Sequence, residues 1–308
     1  MKVALAILNF EGIHHLEILL PTAIEAVRVY GEECPILVLD NQSKTNDVSW
    51  VQEHFPQVEV ILAPANDYLF SYNWLLERRE EEVVVLLNSD LRLDPHFIRP
   101  LLKHFSEPNV FAVTSLSYNW EGTEVTSGPA TFLMHHGWFY TEYNHSMLQA
   151  SYTLYPTGGY MAVDREKFMK LGGFDRLYYP VYGEDLDLGY RAWLRGWASI
   201  YEPESKVWHR ENGTMTTPKA RHFILVSQFL FQWRNLRDRW TCFLRAIYIR
   251  WLRYQKKREG DDSFEKAYLE AKSRWSRDKG KALQRTSGSF QKQSFKEFLG
   301  SPIQRSGK

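Results

Sequence analysis

Residues 157–197 hold the densest set of groups able to do chemistry. Gly158-Gly159 is a tight turn into the apolar run 160–163, which suits a buried strand. Asp164 stands where a side chain caps a short helix, and Gly172-Gly173 ends it. A loop of rings follows (Phe174, Tyr178, Tyr179, Tyr182) and leads to Gly183-Glu184-Asp185-Leu186-Asp187 at the start of another helix. Leu186, Tyr190, Trp193 and Leu194 fall on one face of that helix at helical spacing. Carboxylates at a helix mouth, beside rings able to stack on a sugar, are suited to proton transfer from a hydroxyl. Acids in a first turn also complement the helix dipole, so this stretch needs support from the rest of the chain.

That support comes from alternation. Apolar runs at 3–8, 36–39, 58–62, 83–87 and 110–114 read as buried strands, with helical patterns at 16–30, 48–55, 68–82 and 95–105 between them. Strands apolar along their whole length, alternating with helices, predict an α/β fold: a Rossmann-like, mainly parallel sheet flanked by helices. Ligands of such sheets bind beyond the carboxyl ends of the strands, where Asn9, Asp40-Asn41 and Asn88-Ser89-Asp90 are expected. Residues 115–156 break the pattern and read as a long functional or mobile loop, with His135, His136 and His145 on its surface. A last strand at 198–201 precedes the segment PESKVWHREN, which brings His209 to the same edge.

Composition narrows the class. The chain has 308 residues, enough for a substantial core. Its two cysteines, Cys34 and Cys242, lie far apart with no CxxC, which supports neither a disulfide framework nor a zinc knuckle and predicts a reducing cytoplasm. The opening MKVALAILNF reads as a first strand rather than a signal peptide, and no apolar run reaches the ~18 residues of a spanning helix. From Lys219 onward there are 22 Lys and Arg against 8 Asp and Glu, leaving 16 against 29 before it. An acidic body therefore carries a basic tail, a combination that usually meets anionic surfaces.

The order of AILNF, VLDNQS, VVVLLNSD, GGYMAVDREKFMKLGGFD, YGEDLDLGYRAWLRGW and VWHREN resembles a family 2 glycosyltransferase of the GT-A fold, in its rhamnosyltransferase-like branch, over about residues 1–215. The resemblance implies inverting transfer of a sugar from a nucleotide-diphosphate donor to a saccharide or lipid-linked saccharide. A divalent cation, Mg²⁺ or Mn²⁺, would stabilise the departing diphosphate. The family's D-x-D motif falls on Asn88-Ser89-Asp90, so Asp90 is the expected metal carboxylate and His209 the second ligand. The family's catalytic base falls on Asp185, with Glu184 orienting the acceptor and Asp187 supporting the helix. A helix N-terminus should keep Asp185 ionised as a weak base.

By the same resemblance Asn9, Asp40 and Asn41 contact the nucleoside, although an Asx turn closing the strand explains Asp40 equally well. Gly158, Gly159 and Tyr182 would face the acceptor. The family's small-residue run ending Asn-x-Gly is replaced here by Tyr68-Leu69-Phe70-Ser71-Tyr72-Asn73-Trp74, and only Asn73 survives as a donor contact. The resulting expectation has a catalytic domain at 1–218, with a nucleotide-binding half to about 114 and an acceptor half after it. A basic amphipathic helix follows at 219–258, and a charged, partly disordered tail at 259–308. Between 222 and 254, Leu225, Phe229, Trp233, Leu236, Trp240, Phe243, Ile247 and Tyr254 share one face of a single helix, a pattern of binding to anionic membrane at the cytoplasmic face. Packing of that helix on the body is the competing expectation. A non-catalytic nucleotide-sugar or glycan-binding protein of the same fold is the alternative function, and the acidic body argues against nucleic acid.

Overall fold

The computed structural model describes residues 1–210 and 217–278. Parallel strands β1 (Val3–Asn9), β2 (Ile36–Asp40), β3 (Glu59–Leu62) and β4 (Val83–Asn88) form one half of the main sheet, in the order β3-β2-β1-β4. Helices α1 (Ile13–Tyr30), α2 (Asp47–His54) and α3 (Ser71–Glu77) connect them. The second half is mixed. β10 (Tyr160–Asp164) runs antiparallel to β4 and to β6 (Val110–Tyr118), and β11 (Ala198–His209) runs parallel to β6. β5 (Leu91–Leu93) and β9 (Ser151–Thr153) pair antiparallel with β11.

These directions gather the polar ends at one edge. β1, β2 and β4 finish there at Asn9, Asp40 and Asn88. β10 is reversed, so it starts there, immediately after Gly158-Gly159. β6 is parallel to β4 because β10 opposes both, and β11 therefore also ends at this edge, with His209 opposite Leu91.

Both faces of the sheet are covered, as continuously apolar strands require. Val3, Leu5 and Ile7 join one core with Leu16, Leu19 and Leu20 of α1 and with α4 (Ile98–Leu102). Ala4, Ala6, Val84 and Leu86 join the other, with α5 (Arg165–Leu171) and α6 (Glu184–Trp193). The second core also takes in α7 (Pro218–Asn235) and α9 (Ser263–Asp278) through Phe229, Phe231, Phe264 and Ala267. α7 and α9 thus share a core with the sheet.

Three expectations are corrected. The segment 115–156 is not featureless: β6 runs into it, and β7 (Ala130–His135) and β8 (Trp138–Tyr143) make a hairpin. The strand expected to stop at Tyr201 continues to His209, with Pro203 placed where the register slips between Glu202 and Lys206, the bulge position that tolerates a proline. The single helix over 222–254 is two, because the chain turns after Asn235 and Asp238 caps α8 (Arg239–Arg258) by accepting a hydrogen bond from Thr241 N at 2.8 Å. The tail expected to be disordered lies, over 279–308, outside the described residues, as do Glu211 and Asn212 of the VWHREN segment.

Candidate active site

Gly158-Gly159 is the meeting point. Asn88 N donates to Gly159 O at 2.8 Å, and a Cβ on Gly159 would stand 2.7 Å from Asn88 Nδ2. Only glycine lets the amide of Asn88 lie against that turn. On its other side Gly158 N donates to Asp185 Oδ2 at 3.2 Å. One turn therefore touches both the acid-bearing end of β4 and the first turn of α6.

Asp90 lies two residues beyond Asn88. Its Oδ2 is 3.2 Å from His209 Nε2, both side chains are part-exposed, and Arg210 N donates to Asp90 O at 3.0 Å. The His209 ring meets Tyr160, which follows the glycine turn, edge to face at 6.0 Å between centroids. His15, on the first turn of α1, is close enough for Asp90 and Arg210 to act on its charge. Its pKa is lowered, chiefly by burial and then by His14. Neither His15 nor Arg210 was singled out from the sequence; the His14-His15 pair just after Gly12 was the available signal.

α6 is aimed by the residues before it. Tyr182 (φ 71°) and Gly183 (φ 87°) are both left-handed, and Tyr182 O accepts from Ser227 Oγ of α7. A Cβ on Gly183 would sit 2.9 Å from Ser227 Cβ, so that residue is glycine on two counts. Tyr182 is held by its carbonyl against α7.

The three acids of this helix have separate fates. Asp187 is fully buried and accepts from Tyr178 Oη at 3.1 Å, Asn235 Nδ2 at 2.9 Å and Arg191 Nε at 2.6 Å. Arg191 also donates to Leu171 O and Gly173 O, so Asp187 supports the helix as expected. Glu184 is buried, and its Oε2 has no hydrogen-bond partner among the described residues. Burial, then the neighbouring Asp185 charge, pushes its carboxyl up to about 8. Asp185 is partly buried and accepts from Gly158 N and from Leu186 N at 2.7 Å. Its pKa is raised, not low as expected from the helix dipole: burial outweighs the backbone N–H groups that favour the anion. A raised carboxyl is a better proton acceptor than an ordinary aspartate.

Tyr143 and Tyr155 stand close enough to Asp185 for its charge to push both phenols up, after burial, and their hydroxyls contact each other. They wall the carboxylate on the side of the β7–β8 hairpin and were not anticipated from the sequence.

At the other end of the edge, Asp40 accepts from Ser43 N at 2.8 Å, Ser43 Oγ at 2.6 Å and Asn9 Nδ2 at 3.0 Å, the arrangement of the turn alternative. Asn9 Nδ2 also donates to Asp47 Oδ2 at 3.0 Å, which accepts from Gly12 N at 2.8 Å. Burial opposes the Asp47 anion, but hydrogen bonds from Asn9, Thr45 and Gly12 win and lower its pKa. Asp47 was missed, though an acid opening a helix after Thr45-Asn46 was visible. Asn9 Oδ1 is a buried acceptor without a partner among the described residues.

Asn41 donates to Tyr68 O and accepts from Ser71 Oγ. Asn73 is committed elsewhere: its Nδ2 donates to Phe174 O at 2.9 Å and its Oδ1 accepts from Phe174 N at 2.8 Å. That clamp joins α3 to the aromatic loop, with both polar atoms of Asn73 engaged on the backbone of Phe174. Among the described residues no group of three or more His, Cys, Asp or Glu could hold a metal by itself.

A half-parallel sheet flanked by helices, with acids and a histidine collected at one strand-end edge, defines a GT-A-type transferase fold. The mannosyltransferase PcManGT from Pyrobaculum calidifontis, in complex with GDP-Man and Mn2+, shares it with a TM-score of 0.56 at 16% identity, over 92% of this chain and 76% of that one. GalNAc-T7 with UDP, GalNAc and Mn2+ shares it with a TM-score of 0.54 at 15% identity, over 73% of this chain and 48% of that one. Residues 83–273 match the family described as Glycosyl transferase family group 2, and the chain belongs to that family. The N-acetylglucosaminyl-diphospho-decaprenol L-rhamnosyltransferase of Mycobacterium tuberculosis is 35% identical over 97 residues, 31% of this chain and 30% of that protein. A putative polypeptide N-acetylgalactosaminyltransferase of Drosophila melanogaster is 23% identical over 235 residues, 37% of its length. The chain thus spans well under half of the curated relatives it matches.

Proposed function

We propose that this chain is an inverting glycosyltransferase that moves a sugar from a nucleotide-diphosphate donor to a saccharide or lipid-linked saccharide at a membrane surface, with Asp185 as the base and a divalent cation at Asp90 and His209. The observation that carries this reading is the Gly158-Gly159 turn, which joins Asn88 and, through Tyr160, His209 to Asp185 at one edge. Transfer needs those two ends together: one to hold the departing diphosphate, one to deprotonate the attacking alcohol.

The donor set fits Mg²⁺ or Mn²⁺. A carboxylate oxygen and an imidazole nitrogen 3.2 Å apart and open to solvent offer two ligands, and such ions complete their shell with water and substrate phosphates. When bound, the ion supplies charge stabilisation for the diphosphate as it leaves. The chain's own residues do the rest. The acceptor oxygen bonds to the anomeric carbon from the side opposite the phosphate, the carbon–phosphate oxygen bond breaks, and Asp185 takes the hydroxyl proton. Gly158 N and Leu186 N hold the carboxylate in place. One displacement with one base inverts the anomeric centre. Tyr143 and Tyr155 restrict water beside the carboxylate, and Asn9, with its free Oδ1, is the strongest nucleoside contact at the far end of the edge.

The test is transfer and donor hydrolysis with Mn²⁺ across a panel of nucleotide sugars. Asp185→Asn should cut transfer by about 10²-fold or more while donor affinity and melting temperature stay at wild-type values. Unchanged turnover in that variant removes the base assignment. Donor binding without any turnover by the wild type would instead favour the binding-protein alternative.

A further inference from the structure

α8 presents an unusual outer face. Trp240, Phe243, Ile247, Trp251 and Tyr254 recur at the three- and four-residue spacing of one helical stripe, and each is 51–68% exposed. Inward, the helix rests on Arg245 and Ile249, which are buried. The other well-exposed positions of the helix are Ala246 and the basic Arg239, Arg250, Lys257 and Arg258. α8 contains seven Arg and Lys and no acid. α7, which was expected to share this face, instead turns Phe229, Leu230 and Phe231 into the core.

We infer that α8 alone is a docking face for the interface of an anionic lipid bilayer. A continuous apolar stripe about 20 Å long, edged by cations and ending in aromatic rings, is what a helix lying in the headgroup layer needs. Two other occupants are opposed by charge. A second copy would set the same acid-free helix against itself, with the exposed Arg239, Arg250, Lys257 and Arg258 of each helix facing like charge. The chain's own residues 279–308 carry seven Lys and Arg against one acid, Glu297. α9 meets this helix at Arg253, which pairs with Glu265, while its Glu270 and Asp278 pair with His222 and Arg234; the exposed Arg239, Arg250, Lys257 and Arg258 are left to the outer face. Anionic headgroups are the complement that remains.

The docking face is also connected to the base, a point that rests on the transferase reading. The turn of the β7–β8 hairpin sits on α8: a Cβ on Gly137 would lie 2.6 Å from Thr241 O, and Tyr140 Oη is 3.2 Å from Tyr248 Oη. The far end of the hairpin carries Tyr143, which touches Tyr155 beside Asp185. Six residues of hairpin, about 20 Å, lead from the contact with α8 to Tyr143, which suits an acceptor carried by the bilayer.

The experiment is vesicle co-sedimentation of the full chain, with phosphatidylcholine vesicles containing phosphatidylglycerol or none. Wild type should bind the anionic vesicles at least about tenfold more tightly than the neutral ones and lose that preference in high salt. Trp240→Ser with Phe243→Ser and Trp251→Ser should abolish binding. Arg239→Glu with Arg250→Glu and Lys257→Glu should abolish it too while keeping the stripe, and both variants should keep the wild-type melting temperature and Mn²⁺-dependent donor hydrolysis. The inference is overturned by wild type that ignores anionic vesicles, by variants that bind like wild type, or by a wild-type dimer that the serine variant turns into monomer. Vesicle binding with no donor turnover would sink the transferase reading and leave the docking face standing.

Discussion

Glu184→Gln tests the electrostatics of the site most directly. The carboxyl is 7% exposed, its Oε2 has no partner among the described residues, and Asp185 follows it in the chain. Burial and that neighbour lift its pKa from 4.5 to about 8, so around neutrality Glu184 keeps its proton. The folded protein keeps this proton where the unfolded chain has released it. Stability from this group is therefore complete below about 4.5 and is lost as the pH climbs through about 8. At 1.36 kcal/mol per tenfold change, the loss is at most about 5 kcal/mol. Solvent reaching the partly buried Asp185 screens part of it, leaving about 2 kcal/mol. For a folded body of this size that is roughly 4 °C in melting temperature. Glutamine copies the neutral carboxyl in shape and has no proton to lose. Melting curves of both proteins at pH 5.5 and 8.5 should show the variant near wild type at the lower pH and roughly 4 °C above it at the higher. A gap that stays constant or narrows as pH rises would refute a proton held on Glu184.

Two further substitutions separate binding from architecture. Asp90→Ala should weaken Mn²⁺-dependent binding of a nucleoside diphosphate by at least about tenfold in calorimetry with the melting temperature unchanged; affinity indifferent to both mutation and chelator would reject the metal assignment. Asn73→Ala strips two hydrogen bonds from the backbone of Phe174 and should lower stability by about 2 kcal/mol without changing nucleotide affinity, whereas lost affinity in a stable variant would restore Asn73 to the donor site.

What the sequence discloses follows from how each element is buried. β1, β2 and β4 are covered on both faces and so appear as unbroken apolar runs, which is why Asn9, Asp40, Asn88 and Asp90 could be placed at one edge from spacing alone. The β7–β8 hairpin could not be seen that way. Phe132 and Phe139 pack on one face and Trp138 is buried on the other, so apolar residues occupy both sides and period-two alternation is lost. Pro203 hid the second half of β11, because a bulge satisfies it inside a strand. The break at Asp238 hid the difference between α7 and α8: the apolar spacing runs straight through it, and only tertiary contact buries one segment and leaves the other bare.

The acids of α6 show where residue type stops being informative. Glu184, Asp185 and Asp187 are equivalent as helix-opening carboxylates, and the helix dipole predicts that all three are easily ionised. The structure separates them by what each one faces. Asp187 meets Arg191, Tyr178 and Asn235, so its charge is matched and it fixes the helix. Glu184 meets almost nothing polar and holds its proton. Asp185 meets two backbone N–H groups on one side and the Tyr143–Tyr155 wall on the other. That leaves it as the carboxylate of the three that is accessible and basic enough to accept a proton. The partners that make this distinction, Asn235 and Ser227 of α7 and the tyrosines of the hairpin region, come from the segments whose placement the sequence concealed. The helix after the catalytic sheet is thus part of the site's support, which ties the aim of Asp185 to the same C-terminal helices that carry the exposed stripe of α8.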